Sequence, residues 1–279
     1  LKTDRDDFLN YLRTLRTRWS LNLRTEDAVK HPDFAETSLV YEGPRPREII
    51  LDHLEPILEQ GDRHLGADHA TLSTAQVLVK AQEKIRGKVV CEVGCGTALL
   101  SIVCYRLGAR RVLATDIDPE CLAYARENVK LNRAEVSFFQ GNLLECVPRT
   151  EPIEVILGNL PQKPSPGLRA FSIAYRGGYD GTALLRKWIV QASERLNRGN
   201  HLYLFYHSLA NPQVLQVLNR DFDVLLKAWK RRIFTHRELE GILPHISRLK
   251  KEGKSFFEVH DASSGQYFFY GMVLEGIRR

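Results

Sequence analysis

Val89-Val90-Cys91-Glu92-Val93-Gly94-Cys95-Gly96-Thr97-Ala98 sets the architecture of this 279-residue chain. A buried strand runs into a glycine turn, and a helix is predicted over 98–107. Two glycines two positions apart let the backbone turn tightly and approach a ligand where any Cβ would intrude. The helix that follows offers unpaired N–H groups at its start. Strand, Gly-x-Gly and helix in that order mark a nucleotide-type cofactor site in an open α/β sheet.

Working outward, a dinucleotide fingerprint would require a third glycine three residues after the second, but Leu99 stands there. Glu92 lies two residues before the first glycine, where a carboxylate would repel a pyrophosphate and tolerate an amine or sulfonium cation. A second strand, Arg111 to Thr115, leads into Asp116-Ile117-Asp118-Pro119. Asp116 falls about 20 residues after the turn, the spacing at which a carboxylate accepts from both ribose hydroxyls.

Glu92 to Thr97, followed by Ala114-Thr115-Asp116-Ile117-Asp118-Pro119 and the helical run on to Asn132, resembles the class I S-adenosylmethionine-dependent methyltransferases. The resemblance implies S-adenosylmethionine as cofactor. Glu92, Gly94, Cys95 and Gly96 would surround its methionine part, Asp116 would hold the ribose and Ile117 would cover one adenine face. Strand three, Val136 to Gln140, is followed by Asn142 and Leu143. Asn142 stands where family members carry an Asp for the adenine amino group, and its carbonyl keeps an acceptor there. Strand four ends in Asn159-Leu160-Pro161-Gln162, similar to the Asn-Pro-Pro-Tyr of enzymes that methylate planar nitrogens. In those enzymes the Asn side chain and a proline carbonyl accept hydrogens from the target nitrogen while the aromatic ring stacks on its plane. Arg176-Gly177-Gly178-Tyr179-Asp180-Gly181-Thr182, leading to Arg186, and the helical region before the core resemble the branch that modifies release-factor glutamine. The likeness covers roughly 71–205.

Leu160 and Gln162 depart from that signature. Loss of the stacking ring removes about 1–3 kcal/mol of positioning energy, while Gln162 both donates and accepts. The reading is therefore a transferase acting on N, S or O of a small, amino-acid-like metabolite, with Asn159, Gln162 and Tyr179 as catalytic candidates and Asn159 also touching the cofactor. Alternatives are a protein glutamine methyltransferase, an enzyme cyclising the cofactor's own aminobutyryl chain with release of methylthioadenosine, and a non-catalytic cofactor-binding protein. The sulfonium is already activated, so transfer needs an unprotonated nucleophile held in line rather than an obligatory base. His207, ending strand five, is the general-base candidate by position, or else a satisfied strand-end histidine. Tyr41, Tyr175, Tyr179 and Tyr206 fall where a pocket border would lie.

A formal charge of +6 and a pI near 9.1 make the chain moderately basic. The basic stretches 13–18, 227–232 and 250–254 include a single tryptophan, Trp229, so they read as solvated faces and nucleic acid as an unlikely partner. A small-molecule substrate is expected, a protein substrate is the alternative, and oligomeric state is open. Five cysteines without a C-x-x-C pair give neither a disulfide framework nor a metal site. With no signal-peptide pattern and no apolar run of bilayer length, a cytoplasmic protein without membrane contact is expected.

Residues 1–70 read as an N-terminal helical cap beside or over the pocket, with amphipathic helices over 7–23 and 48–58 separated by a proline-rich loop. From 71 to 279 the pattern reads as a Rossmann-like, doubly wound, mostly parallel α/β sheet. Helices are predicted over 74–84, 119–132, 181–196, from Pro212, and over 239–250 with a break at Pro244. Strands are predicted over 153–158, 201–207 and 224–233, then a hairpin of 256–260 with 267–274.

Overall fold

The computed structural model describes residues 4–25, 29–30, 69–167, 176–235 and 241–279. Its strands are β1 (Leu23–Arg24), β2 (Val29–Lys30), β3 (Val89–Val93), β4 (Arg111–Asp116), β5 (Ser137–Gln140), β6 (Val155–Gly158), β7 (His201–His207), β8 (Phe222–Thr235), β9 (Glu258–Asp261) and β10 (Gln266–Arg278). They form one sheet in the order β1-β8-β10-β7-β6-β3-β4-β5. The strands from β5 to β7 are parallel, with Val90 opposite both Val112 and Val155. Only β10 reverses the direction of the main ladder, pairing Met272 with Tyr206 on one side and Trp229 on the other. The order turns back at β3/β6, and this switch point opens a crevice at the carboxyl ends of the strands. All five residues of β3 are buried, as a strand covered on both faces requires.

The helices are α1 (Asp4–Trp19), α2 (His69–Lys80), α3 (Gln82–Ile85), α4 (Leu99–Arg106), α5 (Pro119–Leu131), α6 (Ala183–Arg195), α7 (Val214–Asp221) and α8 (Leu243–Lys251). One face of the sheet packs on α2 and α4 through Leu78, Leu99, Val103, Val90 and Leu157, with α5 beside them. The other face packs on α6, α7 and α1 through Trp188, Leu215, Leu12 and Tyr270. Right-handed crossovers on either side of the switch point place the helices on opposite faces.

The doubly wound reading holds, and the differences have local causes. The segment predicted as one helix over 74–84 starts at His69 and breaks at Ala81 (φ −100°, ψ 28°). Pro244 does not break a helix: it stands in the first turn of α8, where its missing N–H costs nothing. Strand β8 outruns its predicted ends because β10 pairs with it from Phe222 to Thr235, with one bulge at Val273/Leu274.

The first helix belongs to the core. Phe8 of α1 stacks on Trp229 (centroids 4.0 Å apart, planes at 10°) and meets Tyr270 edge-on at 5.0 Å. Its far end is tied to α7, where Gln216 Nε2 donates to the Trp19 carbonyl. The second helix predicted for the N-terminal region, 48–58, and Tyr41 and Tyr175 lie outside the described residues. All five cysteines are unbridged, and no described helix is long and apolar enough to cross a membrane.

Candidate functional site

The turn after β3 carries three consecutive constraints. Gly94 and Gly96 have φ of +69° and +50°, and Ala98 follows at 61°, a left-handed conformation that costs a residue with a Cβ about 1–2 kcal/mol. A Cβ on Gly94 would also sit 2.7 Å from Leu160 Cδ2. The residue that departs from the family signature therefore packs directly on the glycine turn. Cys95 donates its N–H to the Thr115 carbonyl at 2.9 Å, and its side chain packs below the turn with Ala98, Ile102 and Leu122.

Asp116 ends β4 beside this turn. Its Oδ2 accepts from the Gly96 N–H at 2.9 Å and its Oδ1 from the Asp118 N–H at 3.0 Å. Burial raises its pKa, yet each oxygen keeps a lone pair for a ribose hydroxyl. Ile117 is 54% exposed, an apolar surface that an adenine face would cover. Asn142 Nδ2 donates to Glu145 Oε2 at 3.4 Å, which turns its carbonyl the other way. Leu143 is buried with φ 54°. These groups fit S-adenosylmethionine: an acceptor pair for the ribose, an apolar face for the base and an acceptor for its amino group.

Glu92 behaves differently from its expected place around the methionine part. It is 3% exposed, and its Oε2 accepts from the Ser101 N–H at 2.7 Å and from the Ser101 hydroxyl. The carboxyl thus caps the third residue of α4. Burial pushes its pKa up to about 8, against the opposing Ser101 hydrogen bonds. The side chain is thus withdrawn from the surface that a ligand would touch, and burial favours its neutral form. Sequence spacing gave no sign of Ser101, nine residues on in the next element.

Beyond β6 the chain forms a clipped double loop. Asn159 Nδ2 donates to Thr71 Oγ1 of α2 at 3.3 Å, which turns Oδ1 the opposite way. Gln162, 3% exposed, donates from Nε2 to the carbonyls of Phe205 (2.7 Å) and Leu160 (3.3 Å) and accepts the His207 N–H at 3.1 Å. Because β6 stops at Gly158, the Gln162 amide supplies the next rung of the β6/β7 ladder. It holds backbone rather than lining open space. The 176–182 loop is fastened to the same segment: Gly177 N–H donates to the Lys163 carbonyl and Ser165 N–H to the Gly178 carbonyl. Gly181 (φ +79°) comes so close that a Cβ would lie 2.3 Å from the Gln162 carbonyl. Tyr179 rides on this loop, 57% exposed, its ring edge-on to His245 at 4.6 Å.

His207 is poorly suited to be a general base: burial, with the Lys163 and Arg232 charges, brings its pKa down to about 3, and its Nδ1 is buried without a hydrogen-bond partner among the described residues. Tyr206 is fully buried and donates to the Ala210 carbonyl. Trp229 lies under Phe8, so it offers no stacking face to a base.

The family model described as ribosomal protein L11 methyltransferase (PrmA) matches residues 66–164. A Methanocaldococcus jannaschii protein named "Putative protein N5-glutamine methyltransferase" is 34% identical over 137 residues, 48% of this chain and 68% of that one. A Geobacillus kaustophilus ribosomal protein L11 methyltransferase is 33% identical over 154 residues, 54% of this chain and 46% of its own length. The chain thus spans under half of that second relative. The solved YcgJ protein from Bacillus subtilis has the same fold (TM-score 0.50, 12% identity, 74% of this chain and 98% of that one).

Two expectations are corrected. The small, amino-acid-like acceptor gives way, because the relatives in sequence are named for acting on glutamine in protein or on ribosomal protein L11. The reading of nucleic acid as an unlikely partner is withdrawn as well: the solved structures found include one described as a T. thermophilus 16S rRNA methyltransferase in complex with AdoMet and guanosine (TM-score 0.45, 17% identity, 77% of this chain, 44% of that one). With the strand–turn–helix of β3/α4, the Asp116 carboxylate and a relative matched over two thirds of its length, the chain belongs to the class I S-adenosylmethionine-dependent methyltransferases, related to the L11 and glutamine methyltransferase-like branch.

Proposed function

We propose that this enzyme methylates a side-chain nitrogen of a protein substrate, the amide of glutamine. The observation that carries the reading is Asn159 at the end of β6, its amide oriented by Thr71 and its neighbour Leu160 packed on Gly94 of the cofactor turn. The relative named for protein glutamine supports the substrate class.

An amide nitrogen is a poor nucleophile because its lone pair is delocalised into the carbonyl. Two acceptors aimed at its hydrogens load electron density back onto nitrogen, and they act most strongly as positive charge develops there. Asn159 Oδ1 and the Leu160 carbonyl fill these roles. Gln162 Nε2 holds the Leu160 carbonyl at 3.3 Å and so acts as a positioning residue. Tyr179, the exposed ring on the clipped loop, takes the planar contact that the family's tyrosine provides. S-adenosylmethionine, when bound, would supply an electrophilic methyl group whose S–CH3 bond breaks as N–CH3 forms; Asn159 Oδ1 and the Leu160 carbonyl hold the amide hydrogens until the nitrogen's proton passes to water.

The test is to incubate the full chain with methyl-labelled cofactor and a protein or Gly-Gly-Gln peptide. Label should be released as methylamine on acid hydrolysis, and Asn159→Ala should lower kcat roughly 10²–10³-fold with cofactor affinity kept. Label that stays on an amino group after hydrolysis would overturn the assignment.

A further inference from the structure

At the end of the sheet opposite the methyl-donor turn, a groove of about 690 Å³ opens beside β4 and β5. Strand β4 runs from this groove to the other end of the sheet: Arg111 lies at the groove and Asp116 at the cofactor end, five residues or roughly 17 Å away. Four cations line the groove, Arg110, Arg111, Arg126 and Lys130, against the single carboxylate of Glu135. Arg110 and Arg111 are engaged by Glu154 and Glu151. Among the described residues no carboxylate lies within ion-pair distance of Arg126 or Lys130. They stand four apart on one face of α5, where like charges oppose the helix.

Two aromatic rings share the groove. Tyr105 is half-buried in its wall, and Phe138 of edge strand β5 lies half-buried under the Arg126 guanidinium, 5.3 Å from the ring centroid. Cations at a helix C-terminus have an ordinary role against the macrodipole, and Lys130 fits it. Arg126 does not, standing more than a turn earlier over an aromatic ring. Arg126 also donates from Nη1 to the Leu122 carbonyl at 3.3 Å, a neutral partner that leaves its charge uncompensated; cations without a carboxylate partner beside rings in a concave site match a strand of phosphates carrying planar bases.

We propose that this groove binds a single-stranded RNA segment, with Lys130 on one phosphate and Arg126 swinging from the Phe138 ring and the Leu122 carbonyl to a second, so that a base takes the vacated ring face and the enzyme is anchored on a ribonucleoprotein through a surface remote from its transfer site. The binding is independent of which atom receives the methyl group.

Fluorescence anisotropy with a labelled ten-nucleotide oligouridylate tests it on the full chain. Arg126→Ala/Lys130→Ala should weaken binding roughly tenfold near 50 mM salt and flatten the slope of log K against log salt by about 1.4, the single-strand value for two phosphates. Phe138→Leu should weaken it at least about fivefold. The charge-matched control Arg198→Ala/Lys251→Ala, on exposed residues outside the groove, should stay within about twofold. Equal loss in the two double variants, or no loss in either, overturns the proposal. Displacement by polyglutamate as effective as by unlabelled oligouridylate would mark a general polyanion patch and overturn it equally. Thermal midpoints of all variants guard against unfolding.

Discussion

Replacing Gln162 with Met keeps the side chain's length and shape and removes only its hydrogen bonds. Ser208 donates its N–H to Tyr270 of β10, so the alternate residues Phe205 and His207 turn their backbone groups toward β6. There Gln162 receives both, at 2.7 and 3.1 Å. In Gln162→Met the Phe205 carbonyl and His207 N–H are left buried without that partner, at about 1–3 kcal/mol each. Burial of the thioether offsets part of this, leaving a net loss of about 2–4 kcal/mol. For a chain of this size that is roughly 5–10 °C in Tm. Gln162→Glu separates the two contacts by pH. The neutral acid donates to Phe205 and accepts from His207 as the amide does, whereas the carboxylate turns an oxygen on the Phe205 carbonyl. Its folded pKa is therefore raised, and its stability relative to wild type should fall as pH rises above about 4.5. Urea unfolding at pH 5 and pH 8 measures both variants. If Gln162→Met unfolds within about 0.5 kcal/mol of wild type while kcat collapses, Gln162 serves the substrate directly and the ladder-rung assignment is wrong.

The buried carboxyl of Glu92, with a pKa near 8 in the folded chain, loses its proton later than in the unfolded chain. Stability should thus fall as pH rises from about 4.5 to about 8, on the order of 4 kcal/mol without cofactor. Glu92→Gln keeps an acceptor for Ser101 and should abolish that slope; parallel pH profiles for the two proteins would refute it. Phe8→Ala removes a ring stacked on Trp229 and 2% exposed, so urea unfolding should show a loss of about 3–5 kcal/mol. A loss under about 1 kcal/mol would mean that α1 merely rests on the surface.

Local chemistry made the glycine turn and its neighbouring carboxylate, the candidate cofactor side, legible. The turn at Gly94 and Gly96, the carboxylate at Asp116 and the exposed Ile117 sit within 24 residues of one another on consecutive elements. Each is fixed by short-range backbone geometry, which a pattern of residue types can report. The doubly wound order was legible for a similar reason, since parallel strands need crossover helices and these alternate visibly along the chain. The acceptor half was not. Gln162 read as a catalytic candidate in the place of a stacking tyrosine because nothing local says that β6 ends four residues earlier and leaves β7 unpaired. Glu92 looked like a ligand for a cation because Ser101 enters its shell only when α4 docks on β3. Nor could an amphipathic pattern over 7–23 distinguish a lid from a core helix: the same stripe serves either, and Trp229, more than 200 residues away, decides it.

The methyl donor is written into the local sequence, through a turn whose φ angles glycines hold cheaply. Which polar side chains remain available after folding depends instead on long-range packing. Hydrogen-bond capacity is finite, and long-range backbone groups such as those of Phe205 and His207 claim it before any substrate does.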